Sequence, residues 1–289
     1  MKNFQSRKQK TIKPKLGQHF LFDETILNKI VDAGEVRRSD VILEIGPGKG
    51  DLTQKLAMRA RKVVAVELDR DLARELERKF KPFRAVVIIP DDIIKFSIFN
   101  FKFANDYKVI GNIPFYITGK ILRKFTASKK RPKMMVLLVQ KEVAKRVCAR
   151  PGKMSVLTVA VQTFGSPEIV DYVSRDKFSP PPAVDSAILR IRMYPHSELA
   201  SELRWYNRRG FLRVTAEEMD NKEAEFFRLI KIGFASPRKQ IHNNLKNGYL
   251  LTDEEVTSWL KAVGVKRTAR AQELSVKDWI KLLETQKSG

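Results

Sequence analysis

The sequence predicts a doubly wound α/β domain followed by a small helical domain, and three observations support this fold class. Short β-branched runs alternate with segments whose apolar residues recur every three or four positions, as in strands joined by amphipathic helices. Such alternation is typical of a parallel sheet with right-handed crossovers. From about Ser197 the strand-like runs end and helical periodicity alone continues, and the 289 residues are enough for two domains.

The predicted elements follow in a regular order. Strands are predicted at residues 41–45, 62–67, 85–89, 108–112 and 134–140, with helices between them at residues 51–60, 70–80, 118–125 and 142–148. In the second part, helices are predicted at residues 222–234, 236–245, 252–263 and 275–284, and Thr252 to Glu255 form a capping box. We place the domain boundary after Tyr194, and the charged connector at residues 198–220 is assigned to no element.

The charge of the chain indicates a polyanionic partner. There are 56 Lys and Arg against 33 Asp and Glu, a net charge of +23 that far exceeds what solubility requires. Two runs carry positive charge only, residues 1–15 with six Lys or Arg and residues 120–133 with seven. A solvated charged face or the lysine-rich surface of a thermophile is the alternative, but such surfaces mix both signs, so the runs favour nucleic acid.

Cysteine, histidine and hydropathy patterns exclude several classes of protein. One cysteine, Cys148, and three histidines cannot form a disulfide framework or the usual Cys/His zinc sites. No apolar run is long enough to span a membrane, and the amino terminus lacks the apolar core of a secretory signal. We therefore expect a cytoplasmic protein that uses no metal ion, and we expect it to be a monomer.

A glycine-rich turn follows the first predicted strand, where Val41 to Thr53 reads VILEIGPGKGDLT. Glycines such as Gly46 and Gly48 let the backbone approach a ligand at the start of the next helix. Asp51 stands where the dinucleotide fingerprint requires glycine, and the phosphate-binding loop motif is absent, so a pyrophosphate ligand is disfavoured. A purely structural turn is the alternative.

Acidic residues end the next two predicted strands. Glu67 is placed to accept hydrogen bonds from two ribose hydroxyls, and Asp92 to accept one from the exocyclic amine of adenine. Either acid alone could equally be a helix N-cap or first-turn residue. Together with the glycine turn they favour a nucleoside without phosphate, of which S-adenosylmethionine is the common example.

The fourth predicted strand ends in Asn112-Ile113-Pro114-Phe115, and here the chain resembles the ribosomal RNA adenine N6,N6-dimethyltransferase family, the KsgA-type enzymes, which are related to the erythromycin-resistance rRNA methylases. The matching segments cover roughly residues 15–192. In order they are Leu16-Gly17-Gln18-His19-Phe20-Leu21, GPGKGDLT, Glu67-Leu68-Asp69, Asp92, Asn112-Ile113-Pro114-Phe115, Gln140-Lys141-Glu142 and the segment FSPPPAVDSA from Phe178 to Ala187.

The resemblance implies a Rossmann-like S-adenosylmethionine-dependent methyltransferase domain at residues 16–194, a basic arm at residues 1–15, and a connector and helical RNA-contacting domain at residues 195–289. It implies methylation of the N6 amino groups of two adjacent adenines near the 3′ end of small-subunit rRNA, in ribosome biogenesis, with the small-subunit precursor as partner. The catalytic residues so implied are Asn112, Pro114, Phe115 and Phe178. The implied cofactor contacts are His19, Leu21, Gly46, Gly48, Glu67, Asp92 and Asn112.

The chemistry of Asn112-Ile113-Pro114-Phe115 can also be argued from the residues themselves. An adenine amino group is a poor nucleophile because its lone pair is delocalised into the ring. If the Asn112 side-chain oxygen and a backbone carbonyl in the Ile113-Pro114 turn accept the two amino hydrogens, the lone pair becomes available, while Phe115 stacks on the extruded base. We expect Phe178 on the opposite face of the base. The structural alternatives are a strand-ending turn with a core Phe115, and a core Phe178 beside a proline-rich loop.

The basic run after this motif is expected to contact RNA beside the active site, and its candidate residues are Lys120, Arg123, Lys124, Lys129, Lys130 and Arg131. Two departures from the family pattern stand out: His19 occupies a position that is commonly asparagine, and Phe115 one that is often tyrosine. Two other functions stay open. One is methylation of a large-subunit adenine that confers macrolide resistance, and the other is a non-catalytic RNA-binding assembly or transcription factor.

Overall fold

The computed structural model describes residues 19–98, 106–128, 130–195 and 216–286. The predicted basic arm at residues 1–15, Leu16 to Gln18, Lys129 and residues 196–215 of the connector lie outside the described residues. The boundary after Tyr194 therefore stays a prediction.

Two sheets contain the strands of the described residues. The strands are β1 (Phe20–Leu21), β2 (Val41–Ile45), β3 (Lys62–Glu67), β4 (Val86–Pro90), β5 (Tyr107–Asn112), β6 (Met134–Gln140), β7 (Gly165–Val173), β8 (Phe178–Ser179) and β9 (Ser186–Met193). The large sheet has the order β4-β3-β2-β5-β6-β9-β7, and β1 pairs with β8 in a separate two-stranded sheet. Strands β2 and β6 are buried almost throughout, as is typical of parallel strands covered on both faces.

The described part of the chain contains ten α-helices, six among the strands and four after them. They are α1 (Glu24–Ala33), α2 (Asp51–Arg59), α3 (Arg70–Phe80), α4 (Thr118–Thr126), α5 (Lys141–Val147), α6 (Val156–Gln162), α7 (Ala216–Gly233), α8 (Ile241–Tyr249), α9 (Asp253–Ala262) and α10 (Val276–Thr285). The predicted capping box of α9 is confirmed: the Glu255 N–H donates to Thr252 Oγ1 at 3.2 Å, and the Thr252 N–H donates to Glu255 Oε2 at 2.7 Å.

The predicted α/β fold class is confirmed, but the sheet is mixed rather than wholly parallel. The five predicted strands pair in parallel, whereas β9 runs antiparallel to β6, and β7 runs antiparallel to β9. Between β7 and β9 the chain contains only β8 and a short 3₁₀ turn. A parallel connection would need a longer crossover, usually through a helix, so the antiparallel arrangement follows.

One predicted helix was misplaced. The interval 236–245 was expected to be helical, but α8 begins at Ile241. Gln240 forms an isolated antiparallel bridge with Arg270, and the Ile241 N–H donates to the Ala269 carbonyl at 2.8 Å. Before this bridge, the Lys239 N–H donates to the Ser236 carbonyl at 3.0 Å in a turn, and Gln240 is extended, so the helix begins only at Ile241.

The carboxyl-terminal helices pack against the sheet domain. Leu137 of β6, Val159 of α6 and Phe226 of α7 belong to one buried cluster. The N–H groups of Gly152 and Met154 also donate to the Gln272 carbonyl, at 2.8 and 3.1 Å. Among the described helices, none combines the length and the apolar character that crossing a bilayer demands.

Candidate active site

A cavity of about 420 Å³ opens at the carboxyl ends of β2, β3, β4 and β5. Open α/β sheets bind ligands at this edge, and the volume lies in the range of small-molecule sites. The lining comes from residues 19–21, 44–49, 66–71, 91–93 and 112–117, with Leu27, Asp51 and Leu52. The structure therefore brings together nine of the predicted site residues, namely His19, Leu21, Gly46, Gly48, Glu67, Asp92, Asn112, Pro114 and Phe115.

The glycine turn between β2 and α2 depends on conformations that favour glycine. Gly46, Gly48 and Gly50 have φ values of +64°, +59° and +83°. A Cβ at Gly48 would lie 3.2 Å from two ring carbons of Phe20, and one at Gly50 would lie 2.6 Å from Phe80. The turn thus needs glycine for its backbone conformation and for close packing against aromatic rings.

Glu67 lies at the end of β3 and is only 3% exposed. Its Oε2 accepts a hydrogen bond from the Gly48 N–H at 3.3 Å, and its Oε1 accepts one from the Asp69 N–H at 3.0 Å. Burial raises the pKa of Glu67, and the two backbone hydrogen bonds oppose that rise. Because a carboxylate has about four acceptor positions, acceptor capacity remains for a ligand. Glu67 therefore fixes the glycine turn and still offers acceptors to the cavity.

Glu44 is a cavity residue that the sequence analysis did not select. It lies in β2, is fully buried, and neither carboxyl oxygen has a hydrogen-bond partner among the described residues. Burial raises the pKa of Glu44 to about 8, and the negative charge of the nearby Glu67 adds to the rise. The signal in the sequence was a lone acid inside the otherwise apolar strand VILEI.

Asp92 follows β4, and its carboxylate is only partly engaged. Oδ1 accepts a hydrogen bond from the Ile94 N–H at 2.9 Å, and Oδ2 has no hydrogen bond within the described part of the chain. The described residues that line the cavity include seven acids, but only two cationic side chains, Lys49 and Arg70. The acids are Glu44, Asp51, Glu67, Asp69, Asp71, Asp91 and Asp92. The cavity is therefore acidic in a chain that is strongly basic.

Asn112 ends β5 with its side-chain amide held in place. Its Nδ2 donates to the His19 carbonyl at 3.0 Å, while its Oδ1 has no hydrogen bond among the described residues. In the adjoining turn, the Pro114 carbonyl accepts from the Ile117 N–H at 3.2 Å, and the Ile113 carbonyl accepts no backbone N–H of the described chain. The side-chain oxygen of Asn112 and the carbonyl of Ile113 are thus the acceptors left for a ligand.

The ring that faces Phe115 is that of His19. Their centroids lie 5.9 Å apart with an interplanar angle of 29°. The His19 Nδ1 is 2.7 Å from the Pro180 carbonyl, so this nitrogen must carry a proton and donate. Pairing of Phe20–Leu21 with Phe178–Ser179 holds this segment in place. His19 thus contacts the other side of the cavity mouth through its ring and its backbone carbonyl.

Phe178 does not take the predicted place opposite Phe115, and this expectation is corrected. Phe178 is 3% exposed, lies in the buried cluster with Leu21 and Ile188, and is absent from the cavity lining. Its partner in the β1–β8 pairing is Leu21, which is also buried. The structural alternative, a core phenylalanine beside a proline-rich loop, describes its position.

The basic run around α4 divides into internal and exposed residues. Lys124 donates to the carbonyls of Ile94 and Phe96 at 2.8 and 2.6 Å, and burial lowers its pKa. Arg131 is buried, donates to the Thr126 carbonyl at 2.6 Å and lies 4.4 Å from the Phe164 ring centroid. These two cations are held inside the fold and are not presented to RNA, contrary to expectation.

The remaining described members of the basic run differ from one another. Lys120 is exposed on the first turn of α4, and Arg123 is exposed with its guanidinium 5.4 Å from the Phe227 ring centroid. Lys130 is half-buried, and its carbonyl accepts from the Tyr107 hydroxyl at 2.7 Å. Lys120 is the member whose charged group most clearly faces solvent.

In comparisons with known proteins, the matching family model and the two relatives named below are all described as ribosomal RNA methylating enzymes. A family model described as ribosomal RNA adenine dimethylase matches residues 9–215. A ribosomal RNA small subunit methyltransferase A from Dehalococcoides mccartyi is 38% identical over 265 residues, 91% of this chain and 84% of the relative. The protein of the same name from Synechococcus elongatus is 36% identical, over 93% of this chain and 92% of the relative.

Two solved structures match nearly the whole chain. A dimethyladenosine transferase from Plasmodium falciparum has a TM-score of 0.70 at 25% identity, covering 91% of this chain and 96% of its own. The 23S rRNA methyltransferase ErmE has a TM-score of 0.68 at 26% identity, covering 92% of this chain and 98% of its own.

Proposed function

The chain belongs to the ribosomal RNA adenine dimethylase family, and we propose that it transfers methyl groups from S-adenosylmethionine to the N6 amino groups of adenines in small-subunit rRNA. The chain is an rRNA adenine methyltransferase. The single observation that carries the proposed reaction is the cavity that joins the glycine turn, two strand-end acids and Asn112 to Phe115. Dimethylation of two adjacent adenines near the 3′ end, during assembly of the small-subunit precursor, is the finer part of the proposal.

The small subunit is favoured over the large subunit by the degree of similarity. The relatives named as small-subunit methyltransferases are 33–38% identical to this chain, whereas the 23S rRNA methyltransferase ErmE is 26% identical. An RNA-binding factor without catalysis would not need the Asn112 oxygen kept free or Glu67 with spare acceptors. Enzymatic action on small-subunit rRNA is therefore the assignment that accounts for both observations.

The residues that line the cavity fit S-adenosylmethionine. The excess of acids suits a ligand that carries positive charge and no phosphate. Glu67 would accept the ribose hydroxyls, Asp92 the adenine amine, and the glycine turn with Gly46 and Gly48 would lie against the methionine part, beside Leu21 and the His19 segment. When bound, the cofactor supplies an electrophilic methyl group on a sulfonium.

The chain's own residues act on the target adenine. Asn112 Oδ1 and the Ile113 carbonyl accept the two N6 hydrogens, which draws the nitrogen toward tetrahedral geometry and exposes its lone pair. Pro114 has a φ of −57°, close to the value its ring imposes, which holds the turn in place. Phe115 stacks on the base. Because the His19 ring now faces the Phe115 ring, it must move aside or lie next to the base when the base stacks there. Orientation within reacting distance lowers the barrier without a strong base.

The test is methyl transfer to ribosomal subunits that lack the modification. The purified protein is incubated with methyl-labelled S-adenosylmethionine and with small subunits, large subunits or naked small-subunit rRNA. Mass spectrometry of the digested RNA then identifies methylated adenosines and their positions. We expect N6,N6-dimethyladenosine at two adjacent positions near the 3′ end of the small-subunit RNA.

Other results would separate the competing functions. Label confined to large-subunit adenines would replace the small-subunit assignment. Absence of transfer, together with failure to bind S-adenosylmethionine in calorimetry and retained RNA binding, would replace the enzymatic assignment. Sedimentation of the active protein tests the proposed monomer in the same preparation.

A further inference from the structure

Tyr116 is the exposed aromatic side chain among the described residues that line the cavity. It is 63% exposed, whereas Phe20 and Phe115 are partly covered. Its hydroxyl makes no hydrogen bond among the described residues, so neither core packing nor a polar contact accounts for it. A tyrosine ring carries a large apolar area, and an uncovered ring at the rim of a cavity can stack on a ligand.

The side chains of Tyr116 and Phe115 belong to one turn but point in different directions. Both belong to the 3₁₀ turn Phe115–Ile117, in which successive side chains are about 120° apart because there are three residues per turn. Phe115 is half-buried against His19, while Tyr116 is left to solvent at the mouth of the same cavity. The two rings therefore offer one stacking surface inside the site and one beside it.

The surface next to Tyr116 suits a nucleic-acid strand. Lys120, on the first turn of α4, is exposed. A Cβ placed on Gly119 would meet no heavy atom within 4 Å, so the backbone of this turn faces open space. The open space at Gly119 leaves room for an approaching phosphate group, and the exposed Lys120 supplies positive charge.

We propose that Tyr116 stacks on the base next to the target adenine while the target occupies the cavity. This inference rests on the proposed function and adds a positioning residue to it. Extrusion of one base leaves its neighbour without a stacking partner, and an aromatic ring at the rim replaces that partner. Where two adjacent adenines are modified, one occupies the cavity while the other stacks on Tyr116. The two adenines then exchange places between the two methylation events.

The experiment uses the full chain and an RNA hairpin whose modified adenine has been mapped, with 2-aminopurine at the neighbouring position. Tyr116→Ala is expected to raise the Kd for this RNA about tenfold, the effect of losing one stacked base. It is also expected to abolish the fluorescence change of the 2-aminopurine on binding. Tyr116→Phe, which keeps the ring, restores both to within about twofold of the wild type.

Tyr172→Ala is the matched control, because Tyr172 is 49% exposed on β7 and outside the cavity lining. It is expected to leave RNA Kd, fluorescence and activity unchanged. Calorimetry with S-adenosylmethionine should give wild-type affinity for Tyr116→Ala, which excludes misfolding. Wild-type RNA Kd and fluorescence in Tyr116→Ala would overturn the role of Tyr116. Absence of adenine methylation by the wild type would instead overturn the proposed function.

Discussion

The cavity and the surface around α4 differ in charge although they meet at the Asn112 turn. Seven acids and two cations of the described residues line the cavity, whereas the chain has a net charge of +23 and residues 120–133 carry no acid. A small cationic ligand and a polyanion can therefore be bound by neighbouring regions without competing for the same charges. The neutral residues Asn112 to Tyr116 form the junction, where the two substrates would react.

Sign of charge alone does not decide the role of a residue in either region. In the cavity, Glu67 keeps spare acceptors, while Glu44 lies fully buried and burial raises its pKa to about 8. Around α4, Lys120 faces solvent, while Lys124 donates to two carbonyls inside the fold. The local surroundings of each charged group, rather than its sign, decide its role, and the predictions below test these roles.

The largest expected effect is at the junction. Asn112→Ala removes the acceptor for one N6 hydrogen, and we expect methyl transfer to fall by roughly 10²–10³-fold, as when one preorganised hydrogen-bonding group is lost from an active site. The Kd values for S-adenosylmethionine and RNA should each change by less than about threefold. Single-turnover assays measure the rate of methyl transfer, and calorimetry measures the two Kd values. Activity near the wild-type value would remove Asn112 from the mechanism.

Within the acidic cavity, Glu67→Gln is expected to weaken S-adenosylmethionine binding by about 10–100-fold, because hydrogen bonds to a charged group are lost. The Kd for RNA at fixed salt should not change. Asp71→Asn, at an exposed position of the cavity lining, is the matched control and should alter neither affinity. Equal weakening in both variants would mean that net cavity charge, rather than the position of Glu67, determines binding.

The sequence was sufficient where local pattern dictates the structure. Residues 41–45, 62–67 and 134–140 are strands at the predicted bounds because each is a nearly continuous apolar run bounded by polar residues or glycine. The grouping of Gly46, Glu67, Asp92 and Asn112 followed from the rule that parallel strands end at one edge. These predictions needed no knowledge of long-range contacts.

Features that depend on distant pairing were missed. Strands β7 and β9 contain charged residues that pair across the sheet, as in the contact of Arg190 Nε with Glu168 Oε1 at 2.5 Å, so neither segment is apolar enough to stand out. The burial of Phe178 follows from the β1–β8 pairing, 157 residues apart in sequence at Leu21 and Phe178. Likewise, the partners of Lys124 lie 28 and 30 residues before it.

Glu44 makes stability depend on pH. Its pKa is about 8 in the fold and about 4.5 ordinarily, so between these values the folded state holds one more proton than the unfolded state. The free energy of unfolding should therefore fall as pH rises from about 5 to 8, by at most about 1.4 kcal/mol per pH unit from this group, and level off above. Urea unfolding at several pH values measures this slope.

Glu44→Gln should flatten that part of the profile, because glutamine does not ionise. Glu77→Gln, at an exposed position on α3, serves as the control and should keep the wild-type slope. Parallel profiles for the wild type and Glu44→Gln would show that Glu44 is ionised in the folded protein across this range, and that another group balances its charge.

The smallest expected effect is at the basic surface. Lys120→Ala should weaken RNA binding several-fold and reduce the slope of log K against log salt by about 0.7–0.9, the release of one counterion. Lys124→Met should leave that slope unchanged but lower the free energy of unfolding by about 1–3 kcal/mol, since the Ile94 and Phe96 carbonyls lose their donor. A reduced slope in Lys124→Met would place its ammonium on RNA and contradict the division of the run into internal and exposed cations.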